Sequence, residues 1–342
     1  MKLIKPFLCI LLSLIAFASC KKDIEFNEEI SKPMVVVHSF ISPDTVVSAS
    51  VSLSRFFLND TVNFQKINNA DVAVIVNGIL KEKMSLITDG QYKGTYKPAI
   101  GDVVKFVVKI PSMNEVSSQT SICNPTVISS VDTSKVIQQT FYDASSTDTA
   151  ALNTLFKINY TLKFTDNGNE KNYYRLIVHS REHYYKFISN FVNFNLIDEI
   201  NDRYDFNFTD VVVGNNKSSN SITGTVTGEN TNSNNKYNVF SDDLFNGKTM
   251  SLTFNVDYWL FKRFPSYSLD SGKNYDSGAS EKIEVFVSLQ SISKEYYYYL
   301  KSRSASGGDD FYSEPVQITN NIVGGIGFFG SYTSSNVVKF DL

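Results

Sequence analysis

Short runs that alternate between apolar and polar residues set the tightest limit on how this chain can fold. In "VSASVSLS", Val47, Ala49, Val51 and Leu53 alternate with serines. That two-residue period belongs to a strand with one face buried and the other solvated. "MVVVHSFI", "ADVAVIVNG", "GQYKGTYKP", "DVVKFVVKIP" and "EVSSQTSI" repeat it between about Met34 and Ile137. The separators "SPD", "NGI", "TDG" and "AIGD" carry turn chemistry. About seven such strands predict an immunoglobulin-like β-sandwich over 33–140, without the Cys–Trp–Cys signature of antibody domains.

The polar stretch "YDASSTDTAALN" predicts a linker at 141–151. Beyond it, "TLFKINYTLKFTD", "NYYRLIVHS", "KTMSLTFNVDYWLF" and "KIEVFVSLQSI" predict a larger β-domain over 152–342. The 26 Phe and 19 Tyr also favour strands, so the expected class is all-β with one prominent helix. That helix is expected near 294–303, with Ser293 as N-cap, Glu295 in the first turn and Ile292 stapled to Tyr297. Tyr296, Tyr299 and Leu300 should cover a sheet, with Tyr297 and Tyr298 at the rim; a carbohydrate-stacking platform is the functional alternative. The Asn/Ser-rich segment 214–238 holds almost no large apolar residue and cannot pack a core, so an exposed loop or hairpin tip is expected.

The N-terminus carries a different signal. Lys2 and Lys5 precede an uncharged run from Pro6 to Ser19. It is shorter than the roughly 20 residues of a transmembrane helix and matches the n- and h-regions of a secretory signal. "LIAFASCKKD" then places the small residues Ala18 and Ser19 before Cys20. This resembles the lipobox of bacterial lipoproteins, although Phe17 stands where leucine is commoner. The resemblance implies that 1–19 is a signal peptide cleaved between Ser19 and Cys20. It also implies that Cys20 carries a thioether-linked diacylglycerol, held in outer-membrane lipid by about 0.8 kcal/mol per buried methylene. An ordinary signal peptide with a chance cysteine is the alternative. Lys21, Lys22, Asp23 and Glu25 resemble the lysine-then-acid signal that sends lipoproteins of Bacteroidota to the outer face of the outer membrane. A solvated tether over 20–32 is the plainer reading.

Charge and cysteine content exclude some functions. Lys plus Arg number 32 against 35 for Asp plus Glu, so no strong field invites nucleic acid. Once Cys9 leaves with the signal and Cys20 is acylated, Cys123 has no partner within the chain. No disulfide or Cys-rich metal site is then expected, and Cys123 reads as a small buried hydrophobe at a strand end.

Two motifs tempt. "HSREH" sets His179, Glu182 and His183 in the H-x-x-E-H order of zinc peptidases. It follows a β-like run, and on a strand the two imidazoles lie about 13 Å apart, so no metal is expected. "GIGFFG" matches G-x-G-x-x-G at Gly325, Gly327 and Gly330, but strand and turn residues follow where a dinucleotide site needs a helix. A glycine-rich loop is expected. Asp242–Asp243 and Asp309–Asp310 read as solvated turns, and no catalytic constellation or cofactor site is apparent. Asp44-Thr45-Val46, Asp60-Thr61-Val62 and Asp148-Thr149-Ala150 match the acid–hydroxyl–aliphatic triplet that Bacteroidota O-glycosylate on exported proteins, which makes Thr45, Thr61 and Thr149 candidate acceptors.

"NVFSDDLFNGKTMSLTF", "VFVSLQSISKEYYYYLKS" and "EPVQITNNIVGGIGFFGSY" resemble successive segments of a Bacteroidota lipoprotein family, domain of unknown function 4249. The resemblance covers nearly the whole mature chain. It implies an outer-membrane lipoprotein commonly encoded beside a TonB-dependent transporter, with no catalytic residues to carry over. The expected function is a non-catalytic surface lipoprotein that assists such a transporter in nutrient capture or uptake. The alternatives are a surface hydrolase with a scattered carboxylate pair and a structural or adhesive envelope protein.

Overall fold

The computed structural model describes residues 32–55, 64–142, 152–190, 193–203, 207–208, 211–214, 235–261, 279–306 and 317–341. The chain divides into two compact units, Met1–Pro33 with Arg55–Asp60 and Met34–Ser54 with Thr61–Leu342. Every described strand and helix belongs to the second. Strand accounts for 56% and helix for 7%, so the protein is mainly β with one prominent helix.

Eight short strands come first: β1 (Val35–Ile41), β2 (Ser48–Leu53), β3 (Asp71–Val76), β4 (Ile79–Lys83), β5 (Ser85–Thr88), β6 (Gln91–Lys93), β7 (Val103–Lys109) and β8 (Val116–Ser121). Longer ones follow: β9 (Ile128–Tyr142), β10 (Leu152–Thr165), β11 (Tyr173–Asn190), β12 (Asn193–Arg203) and the two-residue β13 (Asn207–Phe208). After a helical turn at Val211–Gly214 come β14 (Val239–Ser241), β15 (Thr249–Phe261), β16 (Ala279–Ile292), the helix α1 (Lys294–Ala305), β17 (Ile326–Ser334) and β18 (Val338–Asp341).

Two sheets share the first core. One contributes β1, β2, β6 and β5, the other is ordered β4-β3-β7-β8. Alternation does the sorting: Val35, Val37, Ala49 and Val51 point inward from the first, and Val72, Val74, Val104, Phe106 and Val108 from the second. Asn77 (φ 51°) and Gly78 (φ 83°) join β3 to β4, the pair of positive φ angles that a type I′ hairpin requires.

The second core lies between the sheet β13-β15-β10-β9 and the β11–β16 part of a ten-stranded sheet. Phe156, Ile158, Tyr160, Leu162 and Phe164 enter it at every second position of β10. Leu252, Phe254 and Val256 join from β15, Tyr174, Leu176 and Val178 from β11, and Val285, Val287 and Leu289 from β16.

Two features go beyond the arrangement expected for 33–140. β1 pairs on one side with β2 and on the other, in parallel, with β17. That brings Ile322 and Phe329 into the first core, where Phe329 stacks on Phe106 with centroids 4.2 Å apart. β9 lies in the second core's sheet and pairs antiparallel with β10, Tyr142 opposite Leu152. The first two residues of the expected linker, Phe141 and Tyr142, thus end β9, and 143–151 lie outside the described residues.

Candidate functional site

Most residues marked by the lipidation, export and glycosylation signals fall outside the described ones: Ser19, Cys20, Lys21, Lys22, Asp23, Glu25, Thr61 and Thr149, together with Asp309 and Asp310. Thr45 is described and exposed, in a turn where its N–H donates to Ser42 O at 3.3 Å. No helix among the described residues is long and apolar enough to cross a membrane.

The H-x-x-E-H motif lies along β11, in antiparallel register with β16: His179 faces Phe286, Glu182 faces Ile283 and His183 faces Lys282. His179 stacks on Phe286 at 4.7 Å. Of the pair expected to form a solvated turn, Asp243 fits and Asp242 does not. Asp242 is fully buried and accepts the Asn172 N–H at 2.7 Å, with Lys171 Nζ 2.9 Å from its other oxygen. Asp243 is exposed and meets Lys171 and Ser241. Cys123 lies just past the end of β8, partly buried, and its thiol is pushed up to about 12 by burial first and by the carboxylates of Glu170 and Glu295.

The glycine run is fixed by close backbone approach. A Cβ on Gly325 would lie 2.6 Å from Val35 O, and one on Gly324 would lie 2.9 Å from Glu115 O. Gly327, opposite Val37, has φ +124°, and a Cβ there would overlap the Val37 carbonyl. Only glycine admits that φ together with such an approach. Asn321 clamps the following strand, donating to Phe329 O at 2.7 Å and accepting from its N–H at 2.9 Å. The run therefore docks β17 on β1.

α1 is capped as expected, with Ser293 Oγ accepting from Tyr296 N–H at 3.3 Å. Tyr296 and Leu300 are buried. Tyr299 is half-buried, stacked on Phe328 at 4.1 Å. Tyr297, expected at the rim, is buried because Tyr173 from β11 lies against it at 4.7 Å. Tyr298 keeps 44% of its surface exposed, the most of the four rings. Arg175 Nη1 donates to Tyr296 OH at 3.1 Å, and burial pushes the Tyr296 phenol up.

A cleft of about 320 Å³ opens between the approach to β9 and the turn after β10. Asn124, Thr126, Ser129, Thr165, Asn167 and Asn172 line it, with Pro125 and Val127. Glu170 Oε1 accepts from Asn124 Nδ2 at 3.2 Å and from Asn167 Nδ2 at 3.4 Å, so one carboxylate orients two carboxamides. Asn172 Nδ2 donates to Asn167 O at 2.7 Å and Glu170 O at 3.0 Å. Behind the turn, Asp166 accepts from Tyr174 OH and, at 2.8 Å, from Gly247 N–H. Burial first, then the bond to Asp166, pushes the Tyr174 phenol up. Sequence reasoning missed this cleft. Its asparagines come from two separate segments and form no motif.

No curated protein matches the chain. The model of a family described as "Domain of unknown function (DUF4249)" matches residues 21–336. That span takes in both cores, the capped helix, the glycine run and the cleft, and the chain belongs to this family.

Proposed function

We propose that the protein is a non-catalytic lipoprotein of the outer membrane, anchored through acylated Cys20, facing the cell exterior, and assisting a TonB-dependent transporter in capturing or admitting a nutrient. The observation that carries this reading is the uncharged run Pro6–Ser19 ending at Cys20, followed at once by Lys21, Lys22, Asp23 and Glu25. A short apolar stretch cut before a cysteine suits lipid attachment better than membrane spanning.

Three measurements test it. Cys20→Ala should abolish labelling by a palmitate analogue; retained label would refute the anchor. Joint replacement of Lys21, Lys22, Asp23 and Glu25 by alanine should keep the label yet protect the protein from protease added to intact cells. Unchanged shaving would remove the export signal. The tagged protein should recover a TonB-dependent transporter from native membranes, and its absence would count against the uptake role.

A further inference from the structure

We infer that the amide-lined cleft between the approach to β9 and the turn after β10 is a binding site for a small, uncharged, polyhydroxylated molecule of mono- or disaccharide size. This rests on the reading of the chain as a nutrient-capturing protein and gives that reading a ligand class.

Size comes first. About 320 Å³ sits at the lower end of the roughly 300–1,000 Å³ of small-molecule sites, which suits a compact ligand. Charge comes second. The lining carries no ionisable side chain. Lys171, next in sequence to Asn172, is engaged by Asp242 and Asp243. Asp166 and Asp242 are held by Tyr174, Gly247 and Asn172 behind the turn. An anion at the lining would meet the Glu170 carboxylate that holds Asn124 and Asn167, while Lys171 is already paired.

Hydrogen-bond accounting then selects the ligand. Asn172 uses both N–H groups on backbone carbonyls, and Asn124 directs one to Glu170. Their Oδ1 atoms hold no hydrogen bond among the described residues and remain acceptors, each with two lone pairs. The exposed Thr165 hydroxyl pairs with Thr249 at 3.0 Å yet retains acceptor capacity, whereas the Thr126 hydroxyl is buried against Ser291. A surface of this kind wants donors. Neutral hydroxyls supply donors and can also accept the remaining Asn124 N–H. Pro125 and Val127, the latter 66% exposed, offer hydrocarbon for the C–H face of such a ligand. Because Glu170 already fixes Asn124 and Asn167, little side-chain freedom is lost on binding, and preorganisation favours affinity.

Isothermal titration of the mature chain tests this with a panel of neutral mono- and disaccharides and linear alditols. Uronic acids and amino sugars of equal size serve as charged controls. At least one neutral member should bind and the uronic acids should not. Asn124→Ala and Ser129→Ala should each weaken that binding about tenfold while leaving the ligand-free melting temperature unchanged. Three outcomes would overturn the inference: no neutral member binding at millimolar concentration, amino sugars alone binding, or both variants binding as the parent does. The transporter pull-down separates the two claims. Recovery of a transporter without polyol binding sinks the ligand class alone, and polyol binding without a transporter sinks the uptake role alone.

Discussion

Around β3 and β7 the core is aliphatic: Val72, Val74, Val104 and Val108 surround Phe106. Around β10 it is aromatic, with Phe156, Tyr160 and Phe164 on one strand and Tyr174, Phe240, Phe245 and Phe254 against them. The strands differ in the same way, six or seven residues for β3 and β7 and fourteen for β10. Valine on short strands fills a thin layer from both sheets, whereas rings of larger area let long strands hold through edge and stacked contacts such as Tyr160–Phe254 at 4.9 Å. The closing elements differ too. The aliphatic core is incomplete until Ile322 and Phe329 arrive from near the chain's end. Among the described residues, the aromatic core takes Val338 and Phe340 from that stretch, partly buried at its edge.

Removing the closing strand should separate the cores most sharply. A chain ended at Ser306 lacks β17, and residues 33–121 should become sensitive to protease while strands of the aromatic core persist by circular dichroism. Resistance of 33–121 in that shortened chain would mean the first core is self-sufficient.

Single side chains give the next effect. Phe329→Ala and Phe254→Ala should each cost roughly 3–5 kcal/mol, but in different places. Hydrogen exchange should rise in β3 and β7 for the first and in β10 and β15 for the second. If Phe329→Ala loosens both equally, the cores behave as one cooperative unit.

Backbone approach should matter a little less. Gly327→Ala must relieve both an overlap with Val37 O and φ +124°, at a cost on the order of 3 kcal/mol. Gly101 has φ +85° but open space around it; Gly101→Ala should cost about 1–2 kcal/mol. Equal losses in chemical denaturation would show that conformation, not the docking of β17, makes the run glycine.

The smallest effect is a pH dependence confined to the aliphatic core. Burial alone would raise the Asp102 carboxyl. The bonds from Tyr96 OH, from Ala99 N–H at 2.8 Å and from Asn77 Nδ2 at 2.9 Å outweigh it and hold the carboxyl below its ordinary value. A depressed folded value means that the contribution is present above about pH 4, the unfolded range. It is lost as pH falls through the folded value. Asp102→Asn should therefore lower the melting temperature at pH 7 and approach the parent near pH 2. A gap that stays constant with pH would remove the carboxylate from the explanation.

Much of the fold was legible because strands report themselves locally. The serines of β2, the Asn77–Gly78 turn and the Ser293 cap each follow from neighbours in sequence, through the two-residue period, positive φ and an unpaired helix donor. The binding cleft was not legible. Asn124 precedes β9 and Asn172 precedes β11, and nothing in "TSICNPTV" or "TDNGNEKN" requires that they meet. Tyr297 was misplaced for a related reason: what buries it is Tyr173, far away in sequence.

By itself, the sequence determined the class, mainly β with one helix, and the family, because alternation, turn chemistry and the three C-terminal segments are properties of contiguous residues. Only the tertiary structure decided what "GIGFFG" is for, where the aliphatic core ends and which polar groups share a cleft. Each of these depends on pairing between distant segments: Val37 with Gly327, Phe106 with Phe329, Asn124 with Glu170. The physical reason is that a strand's own residues fix which face it buries but leave its edge groups open to any partner. The choice of partner is made by packing, after the chain has folded back on itself.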